Sequence, residues 1–373
     1  MALFDPTVTV TPAPRRRVAR SVTVGIWALA VALLALLALT LLPTSFVIQR
    51  PGPVFDTLGT APNAEGEQVP LIEIDGAQTY PTGGTLDLLT AEILGNPTRT
   101  PSWVELALAW FDPARAILPI DAVFSEGQTA EERTQHSALL MIDSQKEATA
   151  AALLHLGYDV TPMIRVYAIG DESPAQGVLQ PDDIIRAADG TAVTETLALR
   201  DVINAGDGAP VDLTVERGGE TMHVTLTPTE GEIDGEPTWL IGVTTIRDFD
   251  FPIDVTIQLD AVGGSSAGMM FTLGIIDMLT PGELNGGESV AGTGTIDADG
   301  DVGRIGAVRQ KLHGARDAGA EWFLVPAGNC DDVIGHVPAG LQVFAVETLD
   351  DSLAVLETIR SEGDTAALAT CDR

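Results

Sequence analysis

A long apolar run near the N-terminus constrains the fold of this chain more than any other feature. No charged residue stands between Ser21 and Gln49, and the stretch Val22 to Leu42 is almost wholly apolar. A helix of this length crosses the roughly 30 Å of hydrocarbon in a bilayer. We therefore predict a transmembrane helix over residues 21–43, in contact with the lipid bilayer.

The charges on either side of this run indicate its orientation. Four arginines between residues 15 and 20 precede it, and only Arg50 follows closely. Cytoplasmic flanks of membrane spans carry the excess of Lys and Arg. Residues 1–20 are therefore predicted to be cytoplasmic, and the rest of this single-pass cell-membrane protein extracytoplasmic. The alternative is a cleaved signal peptide, which has an apolar run of about 7 to 15 residues and a small-residue cleavage site; no clear site follows here.

The composition excludes some classes of partner. The formal net charge of −33 argues against nucleic acid, because phosphate binding needs clustered Lys and Arg. The histidines are dispersed and no His-Glu-x-x-His occurs, so neither a metal site nor any other cofactor is predicted. Cys330 and Cys371 both fall on the exported side, where disulfides persist. A bond between them and two free thiols are both compatible with the sequence.

Local patterns divide the exported part into segments. Residues 44–125 are rich in Pro, Gly and β-formers, with short strands predicted at Val69–Ile74 and Thr85–Leu89. Residues 126–160 have the pattern of a helix that starts near Thr129 and stops at Gly157; it is expected to pack on a neighbouring sheet, and no chemistry is assigned to it. Residues 363–373 form a C-terminal tail.

Residues 161–230 change to strands and turns. A strand is predicted at Ile164–Ile169, a helix at Thr196–Ala205 and a hairpin across Gly218-Gly219. The segments Ser173-Pro-Ala-Gln-Gly-Val-Leu179 and Asp183-Ile-Ile-Arg-Ala-Ala-Asp-Gly190 resemble a PDZ domain. Asp182 stands where such domains usually have Gly, and no Gly-Leu-Gly-Phe loop precedes the strand. Docking of a free C-terminus by strand addition and a β-rich spacer without a ligand are therefore both open.

A serine lies at a predicted strand-to-helix junction. Phe251–Asp260 alternates apolar and polar residues as a half-buried strand does, Gly263 and Gly264 break the pattern, and a helix follows from Ser266. Free N–H groups of a first helical turn stabilise negative charge, as acyl transfer requires. A phosphate would also fit, but a P-loop ends in Gly-Lys-Ser/Thr, and this loop has no lysine. The remaining alternative is a serine that only caps its helix.

A lysine downstream supplies a candidate base. The chain has 20 Lys and Arg residues, but only Lys146 and Lys311 are lysines. Lys311 lies on the apolar stripe of a helix predicted from about Ala307 to Gly319. Arginine does not give up its proton in proteins, whereas burial lowers the pKa of an amine. A serine beside a neutral amine is an activated nucleophile; the alternative is a lysine whose head reaches water.

These residues resemble the proteolytic domain of Lon proteases over residues 236–362. The segments that carry the resemblance are Gly264-Ser-Ser-Ala-Gly268, Gly292-Thr-Gly-Thr-Ile296, Ile305-Gly-Ala-Val-Arg-Gln-Lys311, Ala318-Gly319 and Trp322-Phe-Leu-Val-Pro326. The resemblance implies an α/β (α+β) Lon-type domain, preceded by the PDZ-like domain and the transmembrane helix. It makes Ser266 the nucleophile, Lys311 the general base and Thr293 the residue that supports the lysine. Gly264, Ser265 and Ala267 are the further residues of the supporting and oxyanion region.

The whole layout resembles the exported, PDZ-containing Lon-like proteases of Gram-positive bacteria. This resemblance implies an ATP-independent, membrane-anchored serine endopeptidase that processes exported or membrane peptides and proteins, with the PDZ-like domain positioning them. Three positions depart from the family: Gly263 replaces an acidic residue, Ser265 a proline, and Arg309 a second lysine. The alternatives are a catalytically silent PDZ adaptor and a non-peptidase Ser-Lys hydrolase. The sequence does not specify an oligomeric state.

Overall fold

The computed structural model describes residues 20–63, 66–125, 127, 129–233, 235–259 and 262–371. The predictions for residues 1–19, for Asp260 and for the last two residues of the tail lie outside these ranges. The helices are α1 (Arg20–Leu41), α2 (Trp103–Trp110), α3 (Ala130–His155), α4 (Thr196–Ala205), α5 (Gly268–Leu279), α6 (Val308–Ala318), α7 (Cys330–Val333) and α8 (Leu349–Arg360).

The strands follow the same chain order. They are β1 (Phe46–Asp56), β2 (Thr60–Pro62), β3 (Gln68–Pro70), β4 (Ile72–Asp75), β5 (Thr85–Leu94), β6 (Ala116–Pro119), β7 (Thr161–Ile169), β8 (Ile184–Ala188), β9 (Thr191–Ala192), β10 (Val211–Arg217), β11 (Glu220–Leu226), β12 (Thr229–Ile233), β13 (Glu236–Leu240), β14 (Val243–Asp250), β15 (Asp254–Ile257), β16 (Ser289–Gly292), β17 (Thr295–Ile296), β18 (Val302–Gly303), β19 (Trp322–Pro326) and β20 (Gln342–Val346).

The N-terminal apolar run forms the single helix α1. Its stretch Arg20–Thr40 has a mean hydropathy of 2.6, and none of its most apolar window is buried against the rest of the chain. It is long and apolar enough to cross a membrane. This weakly supports the transmembrane helix predicted over residues 21–43.

One six-stranded sheet joins strands from the early and the late parts of the chain that follows α1. Its order is β20-β19-β16-β5-β1-β6, and β16 pairs in parallel with both β5 and β19. The sequence analysis put residues 44–125 and 236–362 in separate segments, whereas this sheet contains strands of both. Local sequence patterns do not predict the pairing of Ser289 with Thr85. Periodicity indicates which face of a strand is buried, but not which strand lies beside it.

Helices cover both faces of this sheet. Side chains alternate along β5, as in any strand, so Leu86 and Leu88 pack in one core with α5, and Leu89 packs in another with α6. Helix α5 is buried from Gly268 to Asp277 and also contacts α3. The start of α5 and the first turn of α6 therefore approach the sheet from opposite sides.

A second six-stranded sheet forms the PDZ-like part. Its order is β11-β10-β8-β7-β14, with β9 beside β8, and α4 packs on it with its own core. Residues 161–230 contain most of these strands, but the edge strand β14 lies beyond them and pairs antiparallel with β7. In the chain, the PDZ-like part lies between the early and late strands of the first sheet.

The two cysteines form a disulfide between Cys330 and Cys371. Cys371 is buried beside residues of α6 and β19. Of the two alternatives left open by the sequence, the structure has the bonded form. The bond fixes the C-terminal tail to the body of the proteolytic part.

Candidate active site

Ser266 lies in the loop between β15 and α5. Gly264 has a φ of +95°, a left-handed conformation that strongly favours glycine. A Cβ at this position would meet no atom within 4 Å, so the backbone conformation and not the lack of space requires glycine. The loop leaves the Ser266 side chain half-buried, two residues before the buried start of α5 at Gly268.

Lys311 reaches Ser266 from the opposite side of the sheet. Its side chain begins in the first turn of α6, where its N–H donates to the Ala307 carbonyl. The distance from Lys311 Nζ to Ser266 Oγ is 2.5 Å, although the two residues are far apart in sequence. Lys311 is only 2% exposed. Its amine is therefore shielded from water and touches the hydroxyl directly.

Burial changes the proton affinity of this amine. Loss of hydration penalises the ammonium form and lowers the pKa of Lys311 to about 7. Among the described residues, no carboxylate forms an ion pair with Lys311. With no opposite charge to favour protonation, a large neutral fraction exists near neutral pH, which a general base requires.

Thr293 completes a hydrogen-bonded triangle at the carboxyl end of β16. Its hydroxyl donates to the Ser266 carbonyl at 2.9 Å and accepts from Lys311 Nζ at 2.9 Å. Because the single hydroxyl proton is used on the carbonyl, the Thr293 oxygen has to accept from the amine. The lone pair of a neutral Lys311 is then left for the Ser266 hydroxyl proton. The two hydrogen bonds of Thr293 are thus compatible with a neutral Lys311 that accepts the proton of Ser266.

Helix α3 forms hydrogen bonds with the loop that carries Ser266. These contacts were not predicted from the sequence. The Ser144 hydroxyl donates to the Ser265 carbonyl at 3.1 Å, and the Gly264 N–H donates to the Ser137 carbonyl at 2.8 Å. These bonds connect a helix to a loop more than 120 residues later. No sequence signal could have found them, since serines in a helix are common and their partners lie far along the chain.

The remaining predicted residues form the start of α5. Ser265 is half-buried and Ala267 is buried in the core beneath the loop. The N–H groups of Ser266 and Ala267 have no acceptor in the part of the chain that the structure describes. They are available to a negatively charged oxygen beside Ser266, as an oxyanion hole requires.

A cleft of about 520 Å³ opens beside the Ser266 hydroxyl. Its walls combine apolar side chains with backbone and a few charged groups. The lining residues are Pro53, Phe55, Leu89, Thr90, Ala91, Glu92, Arg133, Ser137, Leu140, Met141, Val262, Gly263, Gly264, Ser265, Ser266, Ala267, Thr295, Arg304, Ile305, Gly306 and Lys311. Half of this wall comes from residues 44–160, to which the sequence analysis assigned no function. Within the described ranges, no group of three His, Cys, Asp or Glu side chains could hold a metal ion.

Two family models match separate parts of the chain. Residues 253–358 match the C-terminal proteolytic domain of Lon protease (S16), and residues 138–227 match the PDZ domain. The chain is 34% identical over 112 residues to the Archaeal Lon protease of Methanothermobacter thermautotrophicus, which covers 30% of this chain and 17% of that protein. It is 31% identical over 147 residues to the Lon protease of Fusobacterium nucleatum, covering 35% of this chain and 19% of that protein.

The matched regions are parts of longer proteins. The chain covers 17% and 19% of these two curated relatives, well under two thirds of their length. Among solved structures, the PDZ domain of the SdrC-like protein from Listeria monocytogenes is 26% identical, covering 22% of this chain and 85% of that chain, with a TM-score of 0.20.

The family matches confirm the predicted combination of domains. The chain carries a Lon-type proteolytic domain and a PDZ domain in a mixed α/β architecture, with one N-terminal apolar helix. The matched proteolytic family is a family of serine-type peptidases. The roles of Ser266, Lys311 and Thr293 stay predictions, now with a geometry that suits them.

Proposed function

We propose that this protein is an ATP-independent, membrane-anchored serine endopeptidase in which Ser266 is the nucleophile and Lys311 the general base. One observation supports this more than any other: the buried Lys311 amine lies 2.5 Å from the Ser266 hydroxyl, at the wall of an open cleft. A serine that only caps its helix does not need a buried amine beside it. Removing an amine from water costs free energy, so a capping role leaves the position of Lys311 without a reason.

The chemistry follows from the contacts. Neutral Lys311 accepts the Ser266 proton as Oγ attacks the carbonyl carbon of a peptide bond. The carbonyl oxygen becomes an oxyanion, which the N–H groups of Ser266 and Ala267 stabilise. The Lys311 ammonium then gives its proton to the leaving amine nitrogen, and the acyl group remains on Ser266. Lys311 next takes a proton from water as the water oxygen attacks the ester carbon; the C–Oγ bond then breaks, the carboxylic acid product leaves, and Lys311 returns the proton to Ser266 Oγ.

None of these steps consumes a nucleotide, so cleavage proceeds without ATP. Substrates are then chains that enter the cleft already unfolded: peptides, loose termini or exposed loops of exported and membrane proteins. Apyrase treatment, which removes nucleotides, tests this part of the proposal. Cleavage of an unfolded peptide continues unchanged after treatment, and a loss of cleavage would contradict ATP independence.

The PDZ domain positions these substrates. Strand β14 is the outer strand of its sheet, and such an edge accepts an extended peptide by strand addition. From the end of β14 at Asp250, a short stretch of chain leads through β15 to Ser266. A peptide bound along β14 therefore lies beside a strand that is only a short way before Ser266 in the sequence.

Single and double variants of the full-length protein test the proposal. Ser266→Ala, Lys311→Ala and the double variant are compared on a panel of peptides and small esters. Because the pair acts as one unit, each single change removes nearly all cleavage and the double variant is no worse. Arg309→Ala is the matched control: it removes an exposed basic side chain from the same helix.

The rival functions give different results in this panel. A silent adaptor gives no cleavage by the unmodified protein and no difference among the variants. A non-peptidase hydrolase cleaves esters in a Ser266-dependent manner but leaves every peptide intact. Either outcome contradicts the proposal.

A further inference from the structure

Helix α2 is apolar on nearly all sides. Its sequence is Trp-Val-Glu-Leu-Ala-Leu-Ala-Trp, and its one charged residue, Glu105, is used in the capping box with Ser102. The inner face carries Leu106 and Ala109, which pack against Ile48 of β1. A surface helix of a soluble domain has polar residues opposite such a face. Here the opposite face is apolar as well.

The outer face exposes large aromatic side chains. Trp103 is 44% exposed, Trp110 is 78% exposed, and Phe111, which follows the helix, is 86% exposed. Trp103, Ala107 and Trp110 are spaced by four and three residues, so they share one stripe of the helix. Leu108 beside them is 66% exposed. No described residue covers this aromatic face.

The start of α2 is fixed beside the end of α1. Thr44 stands three residues after α1 ends, and it is buried. Its N–H donates to the Thr100 hydroxyl at 3.0 Å, and its own hydroxyl donates to the Pro101 carbonyl at 2.7 Å. Three residues span at most about 11 Å, so Thr44 lies within this distance of the end of α1, and the Thr100–Pro101 segment bonded to it leads directly into α2. The two helices are also in contact.

We propose that α2 lies in the membrane–water interface of the bilayer that α1 spans, with its aromatic face among the lipid headgroups. This inference rests on the membrane anchoring in the proposed function. Trp is enriched at this depth because its ring is apolar and its N–H is polar. A helix of eight residues is about 12 Å long, which suits a short segment lying along the surface. The occupant is lipid because α1, which contacts α2, also exposes large apolar side chains along its length.

The position of α2 at the bilayer surface also determines how far the cleft lies from the membrane. Leu89 and Glu92 of β5 line the cleft, and the same strand ends at Leu94, nine positions before α2 begins at Trp103. Held by α1 and α2 together, the cleft stays near the bilayer surface. The peptide bonds within its reach are those of chain segments close to the membrane.

Spin labels on the full-length chain test the position of α2. Both cysteines are in the disulfide, so one introduced cysteine is labelled uniquely. The test variant is Ala107→Cys, with Leu108→Cys as a second probe of the same face. Leu36→Cys reports on α1, and Ala205→Cys, exposed at the end of α4, is the control on another helix. The labelled proteins are reconstituted in phosphatidylcholine–phosphatidylglycerol vesicles, and relaxation by oxygen is compared with relaxation by a water-soluble nickel chelate.

Labels at residues 36, 107 and 108 respond more to oxygen, and the label at 205 responds more to nickel. A lipid response at 36 with a water response at 107 and 108 overturns the interfacial position and leaves the anchor intact. A water response at 36 as well overturns the anchor itself. Shielding of 107 from both reagents, with broadening that grows with the protein-to-lipid ratio, assigns the face to a second copy and also overturns the inference.

Discussion

At the scale of single residues, the proposed function depends on the protonation of Lys311. Burial lowers its pKa to about 7, and only the unprotonated amine accepts the Ser266 proton. Below that pKa the amine is an ammonium, so kcat/KM falls about tenfold per pH unit as the pH drops. A pH profile with a fluorogenic peptide shows an acid limb near pH 7. An acid limb near the pKa of an exposed lysine would contradict a buried base.

Thr293 is the residue whose hydroxyl fixes the direction of the hydrogen bonds. Thr293→Val keeps the shape but removes the contacts to Lys311 and to the Ser266 carbonyl. A buried group left without its partner costs about 1–3 kcal/mol, so kcat falls by roughly one to two orders of magnitude. Thr293→Ser retains the hydroxyl and most of the activity. Loss of activity in Thr293→Ser with activity retained in Thr293→Val would show that the methyl group, and not the hydroxyl, matters.

At the scale of secondary-structure elements, α3 links the PDZ domain to the loop that carries Ser266. Its middle part bonds this loop through Ser144. Further along, Lys146 pairs with Asp248 of β14 at 2.9 Å, and Arg165 of β7 bonds the same carboxylate. Burial alone raises the pKa of Asp248, but the two cations outweigh it and lower that pKa. The carboxylate is therefore charged at neutral pH and holds three elements together.

Removal of this charge destabilises the fold. Asp248→Asn leaves two partly buried cations without their partner, and breaking a buried ion pair costs about 3–5 kcal/mol. The matched control is Glu92→Gln, which breaks the exposed pair with Arg50 at a cost of about 0–1 kcal/mol. Urea unfolding followed by circular dichroism measures both. A similar small effect of the two changes would mean that α3 and β14 are not tied by this cluster.

The secondary-structure elements also show which features of the site can be predicted from the sequence and which cannot. The pairing of Ser266 with Lys311 was predictable because residue type, apolar spacing and family resemblance all agreed. The length of the strand before Ser266 was not predictable from the sequence. The alternating pattern predicted a strand over Phe251–Asp260, but β15 covers only Asp254–Ile257. Pro252 has no N–H to donate to a ladder, and alternation reports burial rather than pairing.

The contribution of residues 44–160 to the cleft could not be predicted from the sequence, for a different reason. Residues of β1, β5 and α3 line nearly half of the cleft, yet only contacts distant in sequence bring these elements to the later part of the chain. The Ser289–Thr85 pairing and the Ser144–Ser265 hydrogen bond are of this kind. Local propensity does not encode such pairs, because it is decided by neighbours along the chain.

At the scale of the whole molecule, the disulfide secures the C-terminal end. It joins residues 41 positions apart, and closing a loop of that size stabilises a fold by about 4 kcal/mol in the chain-entropy account. Replacing both cysteines with alanine therefore lowers the thermal midpoint, while the Ser266–Lys311 contact remains. Calorimetry of the two proteins measures the difference. Reductant reproduces the shift in the unmodified protein and has no effect on the variant; an unchanged midpoint would contradict a stabilising bond.

The whole molecule acts as a peptidase only if an acyl group passes through Ser266. Rapid quenching of the full-length protein with a peptide substrate, followed by mass spectrometry of the digested enzyme, measures this directly. The account predicts an ester adduct of the N-terminal product on the fragment containing Ser266, absent in Ser266→Ala. Peptide cleavage that continues in Ser266→Ala, with no adduct on the unmodified enzyme, would contradict it.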